Sequence, residues 1–266
     1  MKIFISSDME GTAGITCWDE TQWEHPRSEY FRAQMSREVA AACEGALEAG
    51  AEDVLVKDAH DSARNIDPLS LPEKARILRA FAGHPLSMMV GLDTDRFEAV
   101  AFTGYHSGAG CSGNPLSHTM HRFVEEIRLN GESVSEFVIN ALIAAYYHIP
   151  VAFLSGDKAL CEYAEGWIPG ITTVATNTGL GSSTISISPK KAVGLIREKM
   201  REALTGNFAA CVVPLPERFD IQVRLNQHTM AFKNSFYPGA KLLEPKTIGF
   251  SSHDYFEVLR FFHFVL

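Results

Sequence analysis

The sequence is short of the features that would take it outside ordinary globular chemistry. Its five cysteines, at 17, 43, 111, 161 and 211, are odd in number, widely spaced and without a CxxC pair. That excludes a simple disulfide framework and a thiolate zinc finger. Long apolar runs are also missing: the longest, Ala141–Leu154, is interrupted by His148 and Pro150 and is too short to span a bilayer. The opening MKIFISSDME enters a strand-like run with no apolar leader or cleavage site, unlike a secretory signal. Positive charge is scarce, with 24 Lys and Arg against 32 Asp and Glu, for a net charge of −8. Phosphate neutralisation needs clustered basic groups, so this balance argues against nucleic acid as partner. No internal repeat or low-complexity segment is present. These absences predict a soluble protein of a reducing compartment, the cytoplasm, that binds neither membrane nor nucleic acid.

What remains is a chain of 266 residues, 46% hydrophobic and 21% charged, long enough to bury a core without disulfide or metal staples. Apolar runs at Ile3–Ser6, Asp53–Lys57, Glu98–Thr103, Val151–Leu154 and Thr172–Thr176 read as buried strands. Ala75–Phe81 and Ser87–Val90 are weaker strand candidates. Helical patterns run over Arg27–Ala49, stopped by Gly50, over Glu136–Tyr147, Asp157–Glu165 and Pro189–Leu204, the last with Pro in its first turn. Asn130-Gly131 between Glu125–Leu129 and Ser133–Ser135 is a strong hairpin signal. Strands without polar alternation, interleaved with helices, predict an α/β fold: a mostly parallel sheet with helices on both faces, in three layers. After Thr205-Gly206-Asn207 the pattern changes. Phe219–Leu225 alternates like a half-exposed strand, and a short strand and a helix over Tyr255–Phe264 follow. The expected division is an α/β domain over 1–206 and a small α+β domain over 207–266.

Open α/β sheets bind ligands at the carboxyl ends of their strands. Here the first strand ends in Asp8-Met9-Glu10, the second in Asp58-Ala59-His60 and the next in Gly104-Tyr105-His106, so three strands deliver carboxylate or imidazole to one edge. Asp8 and Glu10, two apart, would point the same way on extended backbone, and such a pair repels itself unless a proton or cation lies between. With His60 and His106 they form a mixed N/O set suited to zinc and similar divalent ions, and numerous enough for two ions with a bridging carboxylate. Each feature alone has a plainer explanation: a solvated loop with capping duties for the acidic pair, a hydrogen-bonded loop residue for either histidine. Ser107–Gly113 is glycine-rich but lacks the spacing of a phosphate cradle; it reads as a flexible loop over the site. Within it, Cys111 is a candidate nucleophile with His118 as base. His118 and His121 would share a face if helical, with His118 turned to substrate and His121 packed outside. Glu136 opens a buried helix, where a carboxylate either complements the dipole or aims at a cation.

Taken together, Ser7-Asp8-Met9-Glu10-Gly11, Lys57-Asp58-Ala59-His60, Gly104-Tyr105-His106, Ser117-His118-Thr119-Met120 and Glu136 resemble, in order and spacing, the zinc-dependent D-aminopeptidase family, peptidase family M55. The resemblance runs from the first strand to about Pro189. It implies metal ligands at Asp8, Glu10, His60, His106 and Glu136, two zinc ions per subunit and a nucleophile at His118. It further implies that Asp8 bridges the ions, with Glu10 and His106 on one and His60 and Glu136 on the other. His118 would attack or act as base, activated water being the alternative nucleophile. The implied substrate is a short peptide or amide with an N-terminal D-residue, and the implied assembly a ring-shaped homodecamer of stacked pentamers. Ile171–Pro189 departs from the family pattern in holding no Lys or Arg. Two other readings stand beside this one: another metal-dependent amidase or phosphoester hydrolase, and a non-catalytic metal-binding regulator.

Overall fold

A computed structural model describes all residues, 1–266. The first half of the chain forms β1 (Lys2–Ser7), α1 (Ser28–Glu48), β2 (Asp53–Asp58), β3 (Ala75–Leu78), β4 (Ala99–Tyr105), β5 (Val124–Leu129), β6 (Glu132–Ser133) and α2 (Glu136–Tyr146). The second half forms β7 (Val151–Asp157), α3 (Lys158–Trp167), β8 (Thr172–Leu180), β9 (Ser183–Ser186), α4 (Pro189–Thr205), β10 (Phe219–Leu225), α5 (His228–Asn234), β11 (Lys241–Glu244), β12 (Thr247–Ser252) and α6 (Tyr255–Val265). Seven strands make one sheet in the order β3-β2-β1-β4-β7-β8-β9. All its pairings are parallel except β8 with the edge strand β9.

The missing polar alternation has its cause in the two covered faces. Ile3 and Ile5 of β1 join one apolar cluster with Val39 and Ala42 of α1 and Ile196 and Met200 of α4. Phe4, between them, joins the opposite cluster with Phe102, Phe137 and Leu142. Successive side chains of a strand point to opposite faces, so every buried position of β1, from Ile3 to Ser7, must be apolar or small. Three layers result, as expected from the sequence. The chain leaves β1 towards β2 and β3 on one side and runs from β4 to β7 and β8 on the other, so the order reverses between β1 and β4. A crevice opens at such a switch point.

The smaller sheet is antiparallel, in the order β11-β12-β10-β5-β6. Two of its strands come from before residue 134, because β5 pairs with β10 from Ile221↔Leu129 to Leu225↔Val124. A cut after residue 206 would therefore separate strands that are hydrogen-bonded to each other. The β5–β6 turn has Asn130 at φ 52° and Gly131 at φ 91°, the two positive values a tight hairpin of right-handed twist needs. Of the weaker strand candidates, Ala75–Phe81 is paired only to Leu78, after which Ala80 turns to φ 65°. Ser87–Val90 is no strand: Ser87–Met89 forms one 3-10 turn. Its apolar residues Met88 and Met89 are buried as core plugs, and the Met88 carbonyl accepts from the Ser6 hydroxyl at 2.8 Å.

Candidate metal centre

At the switch point the β1 and β4 ends lie in backbone contact. Asp8 N–H donates to the Thr103 carbonyl and Gly11 N–H to the Gly104 carbonyl, both at 2.8 Å. This approach requires glycine twice: a Cβ on Gly11 would overlap the Tyr105 carbonyl oxygen, and one on Gly104, at φ 68°, would overlap the Asp8 carbonyl. The result places Asp8, Glu10 and His106 around one buried spot.

His60 is delivered by a braced loop after β2. The Asp58 carboxylate accepts from Asn65 N–H at 2.6 Å, Ile66 N–H at 2.8 Å and the Asn65 side-chain amide at 3.2 Å. The same amide donates to the His60 carbonyl at 2.7 Å. Glu136 arrives from the opposite side, in the first turn of α2, whose N-cap Ser135 follows the hairpin. Its Oε1 accepts from Met120 N–H at 2.6 Å, in a turn where Met120 itself has φ 64°. His118, two residues earlier in that turn, stacks on His106 with 4.4 Å between ring centroids.

The structure brings together Asp8, Glu10, His60, His106, His118 and Glu136, but not Cys111. Glu10 Oε2 lies 3.0 Å and Asp8 Oδ1 3.3 Å from His60 Nδ1. Asp8 Oδ2 lies 3.3 Å and Glu136 Oε2 3.6 Å from His106 Nε2; Glu136 Oε1 is 3.6 Å from His118 Nε2. Two sets of closely spaced ligand atoms thus form, Asp8–Glu10–His60 and His106–His118–Glu136, with the two oxygens of Asp8 turned one to each. This grouping differs from the partition that family resemblance implies. Glu10 goes with His60 on the β1–β2 side of the crevice, and Glu136 with His106 on the β4–α2 side.

Each imidazole has its outer nitrogen committed. His60 Nε2–H donates to the Thr21 carbonyl at 2.8 Å, His106 Nδ1–H to the Ser107 carbonyl at 2.9 Å and His118 Nδ1–H to the Leu116 carbonyl at 3.0 Å. A neutral ring then turns a lone pair, not a proton, towards the carboxylates. Facing lone pairs repel unless a positive charge lies between them. The pattern is that of metal-binding histidines, whose second nitrogen is held by an outer acceptor. Asp8 Oδ2, Glu10 Oε2 and His106 Nε2 are buried without a hydrogen-bond partner, and buried polar atoms are rarely left so. The donor set therefore fits divalent cations. The electrostatics agree: burial works to lower the affinity of His60 and His106 for protons, yet the charges and hydrogen bonds of Glu10, Asp8 and Glu136 raise it well above the usual value. Burial alone would push Asp8 up, but His106 and His60 hold it well below the carboxylate range.

The centre forms the floor of a cavity of about 430 Å3, also lined by Trp18, Thr21, Phe81, Met120, His121 and Arg122. His121, expected outside, lines this cavity and stacks on Phe123 at 4.8 Å; the 117–123 segment is a turn, not a helix, so the two histidines share no helical face. No residue of Ser107–Gly113 lines the cavity. Cys111 is exposed there, away from the candidate base. Trp18 and Arg122 carry no motif and are not singled out by sequence; only the fold brings Trp18, edge-on, to 5.2 Å from His118.

A parallel α/β sheet with a carboxylate–imidazole cluster at its switch point defines an enzyme of the metallohydrolase class. Comparison with known proteins narrows the class. The chain matches the model of the D-aminopeptidase family, peptidase M55, over residues 1–264 and belongs to that family. It is 31% identical over 261 residues to a D-aminopeptidase of Bacillus subtilis (strain 168), covering 97% of this chain and 93% of that protein. Among solved structures it is similar to the Zn-dependent D-aminopeptidase DppA from Bacillus subtilis, described as a self-compartmentalizing protease. The TM-score is 0.93 at 28% identity, covering all of this chain and 96% of that one.

Proposed function

We propose that this chain is a zinc-dependent aminopeptidase acting on short peptides or amides with an N-terminal D-residue, through a centre for two ions. Asp8 would bridge, with Glu10 and His60 on one side and His106 and Glu136 on the other. The observation that carries this reading is the division of the Asp8 oxygens between His60 and His106. When bound, zinc supplies Lewis acidity towards the scissile carbonyl. The protein's own groups do the rest. Asp8, Glu10 and Glu136 would hold the ions together with His60 and His106 and offset most of their charge. The Leu116 carbonyl fixes the His118 tautomer with Nε2 free, so this ring can take a proton from the attacking group or attack directly. Trp18 and Phe81 add apolar surface to the cavity wall.

The test is hydrolysis of a D-amino-acid amide by chelator-treated protein before and after zinc addition, with metal analysis. Activity that returns with two zinc ions per chain supports the reading; reconstituted protein that cleaves no D-residue amide or peptide defeats it. The relative's self-compartmentalizing description and the family resemblance favour a closed decameric ring, which sedimentation velocity would reveal. All five cysteines are free thiols, which suits the cytoplasm.

A further inference from the structure

We propose that Arg122 anchors the C-terminal carboxylate of the substrate, so that the cavity grips a short zwitterionic peptide by both ends. This rests on the aminopeptidase reading above. Arg122 is the sole Lys or Arg among the residues lining the cavity. Its guanidinium carbon lies 4.4 Å above the Trp18 ring, and Trp18 in turn meets His118 edge-on at 5.2 Å. A positive charge on an exposed side chain therefore stands one indole away from the His118 ring. Asp61 also lines the cavity but forms no ion pair with Arg122, and neither does any other carboxylate.

The placement is specific in three respects. The Arg122 guanidinium lies over Trp18 and makes no hydrogen bond or ion pair within the chain, so its N–H groups remain available to bind a carboxylate through two parallel hydrogen bonds. The cation–π contact restricts a long side chain before substrate arrives, which lowers the ordering cost of binding. The backbone that carries Arg122 is itself tied: His121 N–H donates to the Thr119 carbonyl at 2.7 Å and Val124 N–H to the His121 carbonyl at 3.0 Å. The cavity thus has the carboxylate–imidazole centre at its floor and its one cationic side chain at Arg122, an arrangement that suits a short peptide held with its amino end at the centre and its carboxylate at Arg122. A cavity of about 430 Å3 is near the small end of the range for small-ligand sites, so the anchor also measures length: a longer chain carries its carboxylate past Arg122.

The experiment compares D-alanyl-glycine with D-alanyl-glycinamide, which differ only in the terminal carboxylate, on zinc-loaded wild type, Arg122→Gln and Arg122→Lys. Losing a bidentate charged contact costs about 10- to 100-fold in affinity. The wild type should prefer the free acid by about that factor, mainly through KM. Arg122→Gln should lose the preference with kcat and the amide's KM unchanged, and Arg122→Lys should keep part of it. Thermal melts verify that both variants fold. Equal turnover of the two peptides by wild type, or equal loss on both in Arg122→Gln, overturns the anchor while leaving the peptidase reading intact. Turnover of neither peptide defeats the peptidase reading, and calorimetric binding of D-alanyl-glycine then decides the anchor. Weaker binding to Arg122→Gln than to wild type upholds it, and equal binding overturns it.

Discussion

His118, half-buried, and Glu38, fully buried, show how differently two polar side chains can serve one site. His118 Nε2 is oriented by a backbone carbonyl and lies among groups that can hold metal without being required for it. His118→Ala should therefore keep its zinc, measured by metal analysis, and lose about 10²- to 10⁴-fold in kcat; zinc lost in proportion to activity would make His118 a ligand instead. Glu38, on α1, is fully enclosed. Its Oε1 accepts from Ala13 N–H at 3.0 Å and from the Gln34 amide at 2.9 Å, which ties the segment after Glu10 to the helix. Burial outweighs those hydrogen bonds and raises its carboxyl from 4.5 to about 7. The folded state binds this proton more tightly than the unfolded one. Its contribution to stability is complete below pH 4.5 and is lost as pH rises through about 7, a loss of about 3 kcal/mol at most. Glu38→Gln should remove that slope and be more stable than wild type at pH 8.5, as measured by urea unfolding; parallel pH profiles would contradict this.

At the level of elements, the site depends on loops that are fixed rather than mobile. Asn65→Ala removes the amide that joins Asp58 to the His60 carbonyl, and should weaken zinc binding by about 10- to 100-fold, read by chelator competition, with the fold intact. Much of this level was legible in the sequence. Asp8, His60 and His106 each come within a few residues of an apolar run, and a polar group that ends a buried parallel strand lies at the carboxyl edge of the sheet. Glu136 follows from the Asn130-Gly131 turn, which fixes where α2 begins. The rest was hidden for physical reasons. Strand partners are not written locally, so nothing in Val124–Leu129 marks it for Phe219–Leu225. The Ser87–Met89 turn has strand-like composition because it too fills a core. The seven residues of α5 and the exposed β11 bury too little to leave a periodic pattern. Which carboxylate faces which histidine depends on the relative position of β1, β2 and α2, and so does the approach of Trp18 and Arg122.

For the molecule as a whole, no helix is long and apolar enough to cross a membrane, and its two sheets share one apolar cluster. That cluster joins Phe102 and Phe137 beside the large sheet to Phe219 and Val223 of the small one, so the parts should unfold together. A cation binding at their junction would stabilise the entire chain: at one hundred times the Kd, each zinc ion contributes about 2.7 kcal/mol, which should raise Tm by several degrees in a single transition. Because protons compete for His60 and His106, whose proton affinity the neighbouring carboxylates raise, that gain should shrink together with bound zinc as pH falls from 8 to 5. A calorimetric scan showing two transitions, or a zinc effect unchanged at pH 5, would contradict this.

The carbonyls of Thr21, Ser107 and Leu116 also set the reach of each imidazole. His60 presents its near nitrogen, the one an asparagine amide can imitate, whereas His106 and His118 present the far one, within the span of glutamine. A neutral replacement that spares the architecture is therefore not the same at every corner: asparagine suits position 60, and glutamine suits 106 and 118. Exchanging the two would leave a gap at one corner and a clash at the other.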